Sequence, residues 1–260
     1  MTREAGGAEF IKLDASKKLS RVGRVILVGS GKGGVGKSLV ACGLGLRLSE
    51  RGFRAGVLDV DLHGASVPNY LGVRPPLSSG TGGLVPKEAG KLKVMSVALF
   101  TGDNPVPVRG AGKEGLITEL FELTDWGTLD YLVVDLPPST GDELFTAFSL
   151  FGRKSTLILV TTPSRGSLSV VSRLRRLAAS EEIRVGGVVL NMAFANSGGG
   201  RIYPFGRADP RAVERELGAR ILAQVPLDPA VSAEGLRRAM AARGELSRSF
   251  DELADGVLKT

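Results

Sequence analysis

The 260-residue chain carries one cysteine, Cys42, and one histidine, His63. A single thiol excludes an intrachain disulfide and any cysteine cluster assembled within one chain. Aromatic residues make up only 5% of the sequence, which directs a folded core toward Val, Leu and Ala. Long apolar runs are absent too. No stretch approaches the roughly eighteen apolar residues of a membrane-spanning helix, so no membrane contact is expected. The first twenty residues hold Arg3, Glu4, Glu9 and Asp14 where a signal peptide needs an apolar centre, and a cytoplasmic protein is expected.

What is plentiful is glycine, at 36 residues, and positive charge, at a formal net +7. Arginines concentrate in Arg173-Leu174-Arg175-Arg176, from Arg207 to Arg220, and from Arg237 to Arg248. Such a balance permits contact with nucleic acid or acidic lipid without demanding it. Glu181, Glu182, Glu214, Glu216 and Glu245 alternate with these arginines, which favours solvated, ion-paired helix faces over a nucleic-acid surface.

Strand-like apolar runs recur at Val25 to Val28, Ala55 to Leu58, Leu92 to Val97, Leu129 to Val134, Thr156 to Val160, Val185 to Leu190 and Ile221 to Val225. Helical patterns separate most of them. The alternation predicts an α/β fold with a doubly wound, mainly parallel sheet of about seven or eight strands, helices on both faces and ligand at the carboxyl strand ends. A single domain over 21–260 is expected behind a flexible tail at 1–20. The Pro-, Ser- and Gly-rich stretch from Arg74 to Gly90 predicts an exposed excursion, and Asn196 to Gly200 another loop.

Between the first strand and a helical stretch from Leu39 to Leu48 lies Gly31-Lys32-Gly33-Gly34-Val35-Gly36-Lys37-Ser38. The glycines allow positive φ and close backbone approach, so successive N–H groups can face phosphate oxygens while the helix N-terminus adds its dipole. Lys37 would supply a point charge to the β- and γ-phosphates and Ser38 a hydroxyl to Mg²⁺. ATP and Mg²⁺ are the expected ligands.

Two carboxylates, Asp59 and Asp61, stand two residues apart at the end of the second strand, so they share one side while the strand lasts. Either can serve phosphoryl transfer, which needs positioning and charge compensation above all. The run Leu129 to Val134 ends in Asp135, the form of a Walker B strand, and predicts that Asp135 reaches Mg²⁺ through water and Ser38. Pro137, Pro138, Thr140 and Gly141 follow as a loop suited to sensing the γ-phosphate.

The pattern from Lys32 to Ser38 resembles the deviant Walker A motif of the MinD, ParA, Mrp and nitrogenase iron protein group. In that group the signature lysine, here Lys32, reaches the nucleotide of a partner subunit. The resemblance implies a homodimer closed over nucleotide through this face, with Lys32, Lys37 and Asp61 catalytic. It also assigns Asp61 to the attacking water and the magnesium shell, and Asp59 to support of the loop.

Asp130 to Asp142, preceded by Asp125-Trp126-Gly127, is similar to the Mrp (ApbC-type) P-loop ATPases, with Ser139 in place of a glycine. Further matches lie at Val94-Met95-Ser96, Val108-Arg109-Gly110, Thr161-Thr162-Pro163, Asn191-Met192, Arg201 to Gly206, and Val225 to Asp228. The resemblance covers most of Val22 to Gly235 and maps adenine contacts to Asn191, Pro226, Leu227 and Asp228. It implies an ATP-hydrolysing switch, slow and partner-stimulated, related to iron–sulfur cluster carriers.

Many Mrp proteins have a Cys-x-x-Cys after the Asn-Met pair, where thiolates of two subunits hold a cluster. Here Ala193 to Gly200 contains no cysteine, and Cys42 sits in a stretch that reads as core. A bridging cluster is therefore not expected, because such clusters take about four thiolates. Two alternatives are a ParA-like ATPase binding DNA through the arginines and, lowest, a MinD-like membrane switch, since Leu246 to Val257 carries acidic residues beside its apolar ones. For His63 a solvated or backbone-bonded loop position is favoured.

Overall fold

The computed structural model describes residues 15–61, 64–100, 113–138 and 141–260. In chain order, α1 (Ala15–Leu19) precedes β1 (Val22–Ser30), α2 (Lys37–Glu50), β2 (Ala55–Asp59) and α3 (Val67–Leu71). Three short strands follow, β3 (Ser78–Gly80), β4 (Gly83–Val85) and β5 (Lys87–Ala89), and then β6 (Leu92–Ser96), α4 (Lys113–Leu123), β7 (Leu129–Asp135) and α5 (Asp142–Phe151). The second half runs β8 (Ser155–Thr161), α6 (Arg165–Ser180), β9 (Arg184–Asn191), a hairpin of β10 (Ala195–Ser197) and β11 (Gly200–Ile202), α7 (Pro210–Leu217) and β12 (Ile221–Val225). Helices α8 (Pro229–Glu234), α9 (Leu236–Ala241) and α10 (Glu245–Leu258) end it.

The main sheet has eight strands in the order β12-β9-β8-β1-β7-β2-β6-β5. Neighbours are parallel except for the edge pair β5 and β6. β1 shows why both faces must be covered. Ile26 and Val28 join the cluster under α2, α9 and α10, whereas Val25 and Leu27 join the one under α4, α5, α6 and α7. Alternation along one strand thus feeds two cores, and a helix layer buries each.

The helix that carries the phosphate loop is unusually enclosed. α2 is buried along most of its length, with Gly43 directly under the ring of Phe250 of α10. Phe250 is fully buried, which contributes about 2–3 kcal/mol. At the far end of α2, Arg47 and Arg51 reach α10: Arg47 Nε lies 3.2 Å from Asp251, and Arg51 is 2.7 Å from Asp255. A polar clasp and an apolar seam therefore fix α2 to the same helix.

All seven expected strands occur, and the eight-stranded, mainly parallel sheet has the expected class. Three expectations are corrected. Residues 15–19 of the anticipated tail form α1, whose Lys18 Nζ donates to the carbonyl of Thr124 at 2.6 Å; residues 1–14 lie outside the described residues. The excursion from Arg74 to Gly90 contains the β3–β4 hairpin and the edge strand β5. The loop at 196–200 belongs to the β10–β11 hairpin, in which Asn196 and Arg201 both bond Glu245. Each missed strand has three residues, too few to show a period.

Candidate functional site

Parallel registry assembles the site. Asp135, the last residue of β7, pairs with Val28 of β1 on one side and Asp59 of β2 on the other, and Asp59 pairs in turn with Ser96 of β6. Two carboxylates therefore meet as neighbours at the carboxyl edge of the sheet. The strand ends supply no matching cation, which comes instead from the helix after β1.

Lys37, the first residue of α2, donates its Nζ to Asp135 Oδ1 at 2.7 Å and stands 3.6 Å from Asp61 Oδ2. Asp59 and Asp135 are fully buried, and Lys37 and Asp61 nearly so. One ammonium thus faces three carboxylates, leaving an excess of two negative charges when all are ionised. Burial, aided by the Asp135 charge, pushes the Asp59 carboxyl up to about 7, against opposing hydrogen bonds from Ser96 Oγ and the Asp61 N–H. Burial also raises Asp135, with the Lys37 ammonium acting in the other direction.

Above this cluster the phosphate loop lines a cavity of about 470 Å³ together with Asp61, Tyr70, Pro138 and Met192. Gly31 packs so closely on α6 that a Cβ would sit 2.5 Å from the Val170 backbone. Gly36 has φ 79° and caps α2 with no side-chain hydrogen bond. The first N–H groups of α2 therefore have no side-chain acceptor at the cap and face the cavity, an anion site by backbone geometry alone. Ser30 Oγ donates to the Lys32 carbonyl at 3.0 Å and fixes the entry to the loop.

Lys32, Gly33, Gly34, Gly36, Lys37, Ser38, Asp61 and Pro138 line the cavity as a group. Gly31 and Val35 are structural members of the loop beside it, and the exposed Lys32 stands on its outer side. Asp59 lies beneath, receiving the Asp61 N–H. Pro137 is buried and Gly141 caps α5, while Thr140, Ser139 and His63 lie outside the described residues.

The four residues expected at the base lie outside the phosphate cavity. Asn191 is fully buried and donates Nδ2 to the Val35 carbonyl at 2.8 Å. Pro226 is buried, Leu227 donates its N–H to the Phe194 carbonyl, and Asp228 caps α8 through the Ala230 N–H. None of these four lines the phosphate cavity.

Ser30, Ser96, Tyr70 and Met192 contribute without having been assigned a role from the sequence. Ser96 had a signal, since it closes the strand beside Asp59; Met192 stood in a family match without a role, and its φ of 53° is visible only in the fold.

The orphan acceptor Asp135 Oδ2, buried without a hydrogen-bond partner, and the excess negative charge both fit a divalent cation held near Ser38, Asp61 and Asp135. A thiolate-held cluster is not matched, because the one cysteine, Cys42, is buried in α2 and burial pushes its thiol well up.

A strand, a glycine loop and a helix bearing lysine and serine, set against aspartates from two adjacent strand ends, define a P-loop nucleotide-binding protein. The chain belongs to the family described as ParA: NUBPL iron-transfer P-loop NTPase, whose model matches residues 21–258.

Among its relatives, the iron-sulfur cluster carrier protein of Saccharolobus solfataricus is 36% identical over 230 residues, covering 86% of this chain and 78% of that one. The carrier of Aquifex aeolicus is 36% identical over 222 residues, and there the match spans only 61% of the relative. A nucleotide-binding protein from Archaeoglobus fulgidus, solved in complex with ADP, superposes with a TM-score of 0.72 at 30% identity, covering 90% of this chain and 91% of that one. The cell division ATPase MinD of Pyrococcus furiosus, at 22% identity and a TM-score of 0.69, shares the fold.

Proposed function

We propose that the chain is an ATP-hydrolysing switch of the iron-transfer P-loop family, active as a homodimer closed over nucleotide through the face that carries Lys32. The observation that supports this most directly is the Lys37, Asp61 and Asp135 cluster beneath a left-handed, uncapped helix start.

In this reading ATP places its phosphates on the N–H groups of the loop, and Lys37 turns from Asp135 toward the β- and γ-phosphates. Magnesium, held through Ser38, Asp61 and Asp135, supplies charge compensation to the phosphates. Asp61, anchored at Oδ1 by the Gly64 N–H at 3.1 Å and with Oδ2 3.6 Å from Lys37 Nζ, lines the cavity and orients the attacking water. Asp59 holds the Asp61 backbone in place. Pro138 and the loop leading to α5 respond to the γ-phosphate and pass its loss to the partner face. Turnover is slow until a partner completes the closed form.

The iron-related work of the relatives is carried here without surface thiolates of this chain. The single Cys42 lies inside α2, so any iron–sulfur cargo would depend on ligands from a partner. The chain acts in this reading as the nucleotide motor of such an assembly.

Sedimentation with and without ATP and Mg²⁺ tests the proposal. ATP should convert monomer to dimer, and Lys32→Ala should bind ATP but fail to dimerise or hydrolyse it. Normal dimerisation and hydrolysis by Lys32→Ala would sink the dimer-switch reading.

A further inference from the structure

We infer that the Tyr70 hydroxyl donates a hydrogen bond to the terminal phosphate of a bound triphosphate, so that α3 distinguishes ATP from ADP. The inference rests on the nucleotide-binding reading above and adds a residue to it.

Strand order locates Tyr70 within the cavity. The phosphate loop leaves β1, and the next two strands on one side are β7, ending in Asp135, and β2, ending in Asp59. Met192 lines the cavity from beyond β9, on the other side of β1, whereas Asp61, Gly64, Ser66 and Tyr70 line it after β2. The cavity therefore runs across the strand ends, and Lys37, Asp61 and Asp135 meet in its β2 half. A phosphate chain whose reacting end lies among these three groups has Tyr70 beside that end.

Local structure aims the side chain there. Ser66 and Tyr70 stand four residues apart, with the Tyr70 N–H on the Ser66 carbonyl at 3.2 Å, so they share one face of α3. Both line the cavity, which makes that face part of its wall. Val67, Pro68 and Leu71 are buried and hold the helix to the core. The same segment is tied to the reacting groups, because Asp61 Oδ1 accepts the Gly64 N–H at 3.1 Å.

The chemistry of the side chain suits a terminal phosphate. Lys37, magnesium and the loop N–H groups address the phosphates with charge and dipoles from the β1 side, and Tyr70 adds a neutral donor on the β2 side. Burial pushes its phenol above the ordinary range, so the hydroxyl keeps its proton to donate. It is the one aromatic residue lining the cavity among the described residues. The ring packs against the apolar cluster under α2 and also borders a second cavity of about 540 Å³, shared with Leu236 and Arg237 of α9, so its hydroxyl end has room to adjust to the phosphate.

Tyr70→Phe keeps the ring and its packing and removes the hydroxyl alone. Calorimetry should show its affinity for magnesium adenylyl imidodiphosphate, a triphosphate that resists hydrolysis, reduced by about tenfold, with affinity for ADP unchanged. Equal losses for both nucleotides, or unchanged affinity for both in a folded variant, would overturn the inference. In wild-type protein labelled at tyrosine Cζ, which has three such positions, the Tyr70 line, assigned through its backbone, should move when ADP is exchanged for the triphosphate. A line that stays in place would overturn the inference even if Tyr70→Phe fails to fold. Both measurements should give the same result in a Lys32→Ala chain; a difference that vanishes there belongs to dimer closure and overturns the contact. Wild-type protein that binds neither nucleotide would bring down the nucleotide reading itself, and this inference with it.

Discussion

Lys37 Nζ and Asp135 Oδ1 form a buried ion pair 2.7 Å long, on the two residues that in the proposed reaction serve phosphate and magnesium. Lys37 answers only one oxygen of the carboxylate, and Oδ2 is left without a hydrogen-bond partner. In the proposed reaction both residues leave this pairing when nucleotide and magnesium bind.

Replacing Lys37 by Met strands Asp135 in the interior. Losing one member of a buried pair costs about 3 kcal/mol or more. Asp135 already titrates above the ordinary carboxylate range, and without the ammonium it rises further. An acid raised in the folded state binds protons more readily there, so the defect grows with pH. Urea unfolding should show Lys37→Met much weaker than wild type at pH 8 and closer to it at pH 5, with ATP binding lost at both.

Asp59, raised to about 7, gives the wild type its own pH dependence. Its unfolded value lies near 3.9, so its contribution is fully present below about 4 and is lost as pH rises through about 7, on the order of 4 kcal/mol. Asp59→Asn should flatten stability across that window. Mg²⁺ alone should raise the melting temperature more at pH 8 than at pH 5.5, where fewer carboxylates are charged. Equal shifts at both pH values would contradict the electrostatic account.

Gly43→Ala sets helix propensity against packing. Alanine favours a helix interior by about 1 kcal/mol, whereas overpacking costs about 1–3 kcal/mol. The added Cβ would lie 2.2 Å from the Phe250 ring, which cannot move without opening the seam between α2 and α10. Net destabilisation is expected in denaturant titration, and Phe250→Leu in the same chain should recover part of it.

The β10–β11 hairpin depends on Glu245, which accepts hydrogen bonds from Arg201 and Asn196. The Arg201 bond, then that of Asn196, holds the Glu245 carboxyl below its usual range. A depressed acid stabilises above its unfolded value and loses that effect as pH falls through its folded one. Amides of residues 195–202 should therefore lose protection in acid, measured against the intrinsic exchange rate at each pH, and be less protected at every pH in Glu245→Gln, while the global unfolding midpoint hardly moves.

The parallel strands were legible because each is buried on both faces and reads as an unbroken apolar run, as in Val25 to Val28 and Leu132 to Val134. The phosphate loop and its aspartates were legible because glycine, lysine and carboxylate have few other uses at strand ends. The β10–β11 hairpin was not. Its pairing is held by Arg201 and Asn196 on Glu245, a contact 44 to 49 residues away that no local pattern announces. The location of Asn191 at a strand end could be read, but the partner of its amide could not, since Val35 offers only a backbone carbonyl.

The contact between Asn191 and Gly36 also makes two distant positions a single unit of inheritance. A larger residue at 36 meets the amide at 191, since a Cβ there would lie 2.0 Å from Nδ2, and a smaller residue at 191 leaves the Val35 carbonyl unanswered. Substitutions at the two sites should therefore be strongly epistatic. A library that varies either position alone would discover almost nothing, whereas one that varies both together could find new phosphate loops.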